Sequence, residues 1–227
     1  LSVALILWWP RPSARAVFGA AAVATAACAC VLVRWRYFAP AQVSVLDVGQ
    51  GDAILVRDGA AAFLVDSGPD DSVTGELARA HAYHLDAILV THLHDDHYGG
   101  IASLRGTVGV DRVIFGQGVS PCLPEGLSEA VDALCPGGVS EVSYGDVVHV
   151  GRFTLRVVSP TGASDGSENA DSVELLLEFS DGTRRLTALL TGDAEGGETR
   201  AAILRGDVGD VDLLKVGHHG SAGSTSA

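Results

Sequence analysis

The run Thr91-His92-Leu93-His94-Asp95-Asp96-His97-Tyr98-Gly99-Gly100 constrains the fold more than any other stretch of the chain. Three imidazoles and a carboxylate fall within six positions, directly behind the apolar segment Asp86–Thr91. That segment reads as a strand. Alternation along it sends His92 and His94 to one side, and the following loop can bring Asp96 and His97 round to a second position. Neutral imidazole and carboxylate are donors that zinc, manganese or iron accept. Gly99 and Gly100 permit a tight entry into the next helix. The chain must therefore bury a strand and open a polar pocket at its end.

Two later elements can complete such a pocket. Asp193 follows the apolar strand Leu186–Thr191 and opens a helix through Thr191-Gly192-Asp193-Ala194-Glu195. A carboxylate at a strand end can bridge two cations, and a plain helix cap is the competing reading. His218 and His219 follow the strand Val211–Val216 and precede Gly220-Ser221. A paired His in such a turn suggests one ligand and one supporting or proton-transfer group. His149 lies on a hairpin strand, Val147–Val150, and reads as structural. His81 and His84 lie three apart in a predicted helix, Thr74–His84, with no carboxylate in register, and read as surface.

The surrounding pattern is one of short strands and turns. Val43–Val48, Ala53–Arg57 and Ala61–Asp66 are β-rich, the last two joined across the hairpin signal Asp58-Gly59. Strand or helix patches follow at Asp111–Phe115, Glu125–Leu134 and Phe153–Ser159, then a polar loop over Ser159–Asp171. Ser172–Phe179 and Arg184–Thr191 pair across Ser180-Asp181-Gly182-Thr183, and Glu195–Arg205 is a helix. Strands clustered at both ends with helices between them predict an α/β layered domain over 42–227, two packed sheets with helices outside. A doubly wound sheet is the alternative, but the hairpins oppose an all-parallel arrangement.

The first 38 residues differ in texture, carrying only Arg11, Arg15, Arg34 and Arg36 as charges. Leu1–Trp9 reads as the tail of a longer membrane segment and the residues from Pro10 to Arg15 as a turn. Ala16–Val33 is an uncharged run of 18 residues, just long enough to cross a bilayer as a helix. Trp35, Tyr37 and Phe38 behind it suit the interface, while two arginines on each side leave the orientation open. A cleaved signal peptide is the other reading, and the apolar residues ahead of the arginines oppose it. The rest of the chain holds eleven basic residues against 28 acidic ones, a net charge of −17 with a single lysine, Lys215. Such a charge disfavours nucleic acid, and bound divalent metal would offset it locally. Cys28 and Cys30 read as small hydrophobes. Cys122 and Cys135 flank a short helical segment and can form a disulfide if the domain faces an oxidising space.

A strand, then His-x-His-x-Asp-His-x-Gly-Gly, a later Gly-Asp and a later His together resemble the metallo-β-lactamase superfamily. Finer features resemble the ComEC-type DNA-uptake proteins. These are Leu46-Asp47-Val48-Gly49-Gln50-Gly51-Asp52, Leu64-Val65-Asp66-Ser67-Gly68, Asn169-Ala170-Asp171-Ser172 and Leu213-Leu214-Lys215-Val216-Gly217-His218-His219-Gly220-Ser221, behind a membrane segment. Cell-wall phosphorylcholine esterases share a similar His-His-Gly turn. The resemblance implies an αββα sandwich preceded by a transmembrane helix, with two divalent ions, zinc or manganese. His92 and His94 would bind the first ion and Asp96 and His97 the second. Asp193 would bridge them, and His219 or His218 would complete the second site. Asp96 and His219 would serve catalysis, Asp96 by orienting the attacking hydroxide or taking its proton. Asp66, Asn169 and Ser172 would support the ligands. Asn169 stands about where many members carry a further His, which would weaken the first site or tune it for manganese.

The resemblance further implies a nuclease degrading one strand of DNA during uptake. Its partners would be single-stranded DNA, the membrane and other uptake machinery. The chain would end a multi-pass bacterial membrane protein, its soluble domain on the outer side and its last strand and helix lying beyond residue 227. An esterase acting on a small cell-envelope phosphodiester and a non-catalytic DNA-binding domain are the alternatives.

Overall fold

Side-chain alternation along the strands decides how the layers stack. In the computed structural model, which describes residues 12–224, the chain forms α1 (Ala14–Tyr37), β1 (Gln42–Val45), β2 (Ile54–Asp58), β3 (Ala61–Val65), α2 (Ser72–Arg79), β4 (His84–Leu85), β5 (Ala87–Leu89) and the single turn α3 (Asp95–Tyr98). There follow β6 (Gly109–Val110), β7 (Val113–Gly116), α4 (Glu125–Leu134), β8 (Val139–Val142), β9 (Val147–Val150), β10 (Phe153–Ser159), β11 (Glu174–Ser180), β12 (Arg185–Leu190), α5 (Gly196–Arg205) and β13 (Leu213–Lys215). One sheet has the order β1-β2-β3-β5-β7-β8, and the other β13-β12-β11-β10-β9. On β3, Phe63 and Val65 face the opposing sheet, while Leu64 faces the helices. On β11, Leu175 and Leu177 face inward and Leu176 meets α5. The result is an α/β/β/α stack, as expected, with its main core between the sheets around Phe63, Leu89, Phe153 and Leu175.

Both sheets are mixed. The β2–β3 hairpin turns at Asp58–Ala61, and the strands from β3 through β5 and β7 to β8 then run parallel. In the second sheet, β9 to β12 are antiparallel and β13 adds parallel to β12. The parallel register makes the C-terminal ends of β3, β5, β12 and β13 finish at one end of the sandwich. The three hairpin turns lie at the other end.

Several sequence expectations shift here. The predicted helix Thr74–His84 stops at Arg79, and His84 instead begins the short strand β4, paired with β6. There its Nε2 lies 3.1 Å from Asp111 and its Nδ1 4.0 Å from Asp86, so it is not a bare surface residue. The carboxylates that meet it come from other segments, which helical spacing cannot reveal. β8 lies in a stretch of mixed polarity that carries no clear signal. Cys122 is exposed and Cys135 buried, and both are free thiols. The stretch Leu1–Trp9 and the turn beginning at Pro10 and Arg11 lie outside the described residues.

Candidate metal centre

The candidate ligands arrive on strand ends for a local reason. β5 ends at Leu89, and the next residues leave the sheet. Thr91 is held by Asp66, which accepts from Thr91 N at 2.8 Å and from Thr91 Oγ1 at 2.9 Å. Asp66 sits just past β3 at φ 59°, a left-handed conformation that an aspartate tolerates better than most residues. The turn into α3 is close-packed. A Cβ at Gly100 would come within 2.2 Å of Ser67 O, and one at Gly99 within 2.2 Å of Pro69 O.

Four side chains from three segments converge at this end. Asp96, His97, Asp193 and His219 each offer a ligand atom, and those atoms all lie within 4.8 Å of one another. His97 Nε2 is 3.3 Å from Asp193 Oδ1 and 3.9 Å from Asp96 Oδ2. His219 Nε2 is 3.0 Å from Asp96 Oδ2 and 3.6 Å from Asp193 Oδ2. Two residues that sequence reasoning left without a role join them. Lys215 forms an ion pair with Asp52, lies 3.6 Å from Asp193 Oδ1 and donates to Gly192 O at 2.6 Å. The signal available for Lys215 was its being the chain's one lysine, three residues ahead of the paired histidines. For Asp52 it was the Gly-Gln-Gly-Asp turn.

The hydrogen bonds fix tautomers. His97 Nδ1–H donates to Asp66 Oδ2 at 2.8 Å, which turns Nε2 toward Asp193. Thr91 Oγ1 spends its proton on Asp66, and Ser172 Oγ accepts from Asp193 N at 3.1 Å. The remaining Thr91 Oγ1 lone pair faces His92 Nδ1 at 3.2 Å, so His92 carries its proton on Nδ1, and Ser172 Oγ lies 3.3 Å from the same nitrogen. His92 Nε2, His97 Nε2, Asp193 Oδ1 and Asn169 Oδ1 are buried without a hydrogen-bond partner among the described residues. Buried polar atoms of this kind call for a ligand, and two bare imidazole nitrogens beside a carboxylate suit a divalent transition metal.

Electrostatics point the same way. Burial opposes charging of His97, but the carboxylates of Asp66 and Asp193 outweigh it and raise its pKa to about 10. Burial, reinforced by the neighbouring His97, lowers His92 to about 4, leaving it neutral. Asp193 is held below the usual carboxylate range despite its burial, chiefly by His97. Burial pushes Asp52 up, partly offset by Lys215. A divalent ion bound here would displace the proton from His97.

The remaining expected residues are near but differently engaged. The His92 ring lies 4.4 Å from that of His94 and 4.3 Å from that of His97, so it borders the four-residue group. His94 Nε2 donates to Ser167 O at 3.1 Å. Of the paired histidines, His219 faces the carboxylates. His218 takes a hydrogen bond from Asn169 Nδ2 at 3.2 Å and lies 3.3 Å from Ser221 Oγ. Both sit at positive φ, 47° and 50°, and this sharp turn sends the two rings in different directions.

Residues 46–171 match the Metallo-beta-lactamase superfamily. Among curated proteins, ComE operon protein 3 of Bacillus subtilis is 31% identical over 211 residues, covering 81% of this chain and 26% of that protein. Recombination protein 2 of Haemophilus influenzae is 28% identical over 193 residues, 82% of this chain and 22% of that protein. The chain thus spans about a quarter of the length of these relatives. The crystal structure of the metallo-beta-lactamase GOB-18 from Elizabethkingia meningoseptica shares the fold, with a TM-score of 0.56 and 14% identity over 77% of this chain and 73% of that one.

Proposed function

The chain belongs to the metallo-β-lactamase superfamily, and from that premise we propose that its centre hydrolyses phosphodiester bonds in DNA, degrading one strand during uptake across the membrane. The gathering of Asp96, His97, Asp193 and His219 within 4.8 Å at the strand ends carries the reading. The resemblance of its motifs to ComEC-type DNA-uptake proteins, with which the 31% identity to ComE operon protein 3 agrees, supports the choice of DNA. Asp193, with His97, Asp96 and His219, would hold one ion, and His92 and His94 would contribute to a second. Zinc or manganese bound there would supply Lewis acidity and a nucleophile at neutral pH.

The chain's own residues do the rest. Asp66 fixes the His97 ring through Nδ1 and, by way of Thr91, the His92 tautomer, and Ser172 holds the Asp193 backbone. Asp96 and His219 are the two members of the group open to solvent, and Asp96, 3.0 Å from His219 Nε2, is placed to orient an attacking water or take its proton. Lys215 offsets part of the carboxylate charge that would otherwise repel a phosphate. α1, long and apolar enough to cross a membrane and exposed from Ala14 to Trp35, supports attachment to a membrane; the multi-pass protein with its domain on the outer side is part of the proposal and rests on the resemblance to ComEC-type proteins.

The test is cleavage of labelled single-stranded DNA with manganese, with zinc or with a chelator, using Asp193→Ala as control. Cutting that needs metal and is lost in Asp193→Ala is the expected result. No cutting despite bound metal would overturn the DNA reading in favour of a small phosphodiester substrate. Failure to bind metal would favour a non-catalytic DNA-binding domain.

A further inference from the structure

The junction between α1 and the domain is rigid, and this sets which way the candidate centre faces. Every described position of α1 from Ala14 to Trp35 is exposed, so the helix projects clear of the domain. The 22-residue stretch Ala14–Trp35 is about 33 Å long, enough for a bilayer core. The last turn is stitched down by Arg57, which is 3% exposed in an otherwise apolar strand. Its guanidinium donates to Trp35 O at the end of α1, to Ala80 O at 2.7 Å and His81 O at 3.1 Å past the end of α2, and to Gly59 O at 3.4 Å in the β2–β3 turn. The Trp35 ring lies 4.5 Å from that of His81. Gly59 N donates to Ala39 O at 3.0 Å, inside the short link between α1 and β1. A buried charge bonded to carbonyls of four residues is costly to release, so the link has little freedom to swing.

The same hairpin connects the stitch to the centre. β2 starts beside Asp52 at the centre and ends at Arg57 and Asp58, and β3 returns from Ala61 to Asp66. The stitch and the centre therefore occupy opposite ends of the sandwich, separated by the five-residue length of β3, about 17 Å. Surface chemistry follows this polarity. At the stitch end the exposed residues include the aromatics Tyr37, Phe38 and Tyr83. The turns there carry exposed Arg112, Arg152, Arg184 and Arg185, of which Arg152 pairs with Asp58 and Arg184 with Asp181, together with the half-exposed carboxylates of Asp86 and Asp111 beside His84. The other end presents Asp70, Asp71, Asp95 and Glu168 to solvent. Aromatic side chains and arginines suit a headgroup layer, and an anionic leaflet repels the acidic end.

We infer that the domain stands on the membrane by its stitched end, with Trp35, Tyr37, Phe38 and Tyr83 at the headgroups and the metal centre facing away from the bilayer. The inference rests on the reading of α1 as a membrane span. It makes the substrate one that arrives through water, not a lipid headgroup of the same leaflet.

The test uses the chain with α1 in vesicles of phosphatidylcholine and phosphatidylglycerol bearing headgroup nitroxide quenchers. A fluorophore is placed at Tyr83→Cys or at the exposed Ala170→Cys, with the four native cysteines replaced by serine or alanine. The label at position 83 should lose its fluorescence, and the label at 170 should keep it. A long Gly-Ser insertion after Pro40, in a protein with unchanged circular dichroism, loosens the covalent link but leaves the Arg57 and Gly59 contacts to Trp35 and Ala39 in place, and should preserve the difference. Equal or reversed quenching in carbonate-resistant chains would overturn the orientation alone, and a difference that is lost on the insertion would overturn the role of the stitch. Chains extracted by carbonate would overturn the membrane reading and this inference with it.

Discussion

Glu174→Gln should stabilise the protein above neutral pH and leave it nearly unchanged in acid. Glu174 opens β11, is fully buried and points at the α5 layer. Its Oε2 accepts from Thr199 Oγ1 at 3.0 Å, while Oε1 has no hydrogen-bond partner among the described residues. Burial raises its pKa from the ordinary 4.5 to about 7, against the smaller lowering effect of the Thr199 hydrogen bond. A pKa raised in the folded state means that the folded protein holds a proton which the unfolded chain has already released. Below about pH 4.5 both states are protonated and the group contributes nothing. Between about 4.5 and 7 stability falls as pH rises, and above 7 the full cost of ionising a buried carboxyl is present. A shift of this size corresponds to about 3 kcal/mol. For a domain of this size that is a rise in Tm of roughly 6–12 °C at pH 8 in the Gln variant, shrinking to little below pH 4.5. Thermal unfolding by circular dichroism, run for both proteins in chelator across this pH range, measures it. The difference between them isolates Glu174 from the titration of the histidines. A Gln variant no more stable than its parent at pH 8, or one whose advantage persists unchanged at pH 4, would refute the reasoning.

Two further expectations concern the centre and the thiols. Asp66→Asn keeps a side chain that tolerates the left-handed backbone but presents an amide to His97 Nδ1, which loses the carboxylate that fixes its tautomer. Metal affinity should fall about 10–100-fold with the fold retained, measured by competition against a coloured chelator, and undiminished affinity would remove Asp66 from its supporting role. In the native protein Cys122 should react with a maleimide, while Cys135, buried and with its pKa raised by that burial, should react only on unfolding. Mass spectrometry showing a disulfide between them would contradict the structure.

The sequence by itself was enough for the family and for the class of fold. The density of His and Asp after an apolar strand points to metal chemistry, because imidazole and carboxylate donors crowded into one turn suit a divalent ion better than a plain polar surface turn. The short β-rich runs Ala61–Asp66, Ser172–Phe179 and Arg184–Thr191 announce strands, and their near-continuous apolar stretches suit strands with a core on both faces. The apolar run Ala16–Val33 reads as a span through its length and lack of charge, and it lies in one helix long and apolar enough to cross a bilayer. Other features depend on contacts between residues far apart in the chain, and periodicity is blind to those. Only the packed structure shows that His219 faces the carboxylates while His218 turns to Asn169, because two consecutive left-handed residues separate their rings. Only it brings Lys215 and Asp52 into the centre and surrounds His84 with two carboxylates. The use of Arg57 was hidden for the same reason. An arginine inside an apolar strand reads as an interruption, and its partners become visible once the end of the helix, a turn and a hairpin have been folded onto it.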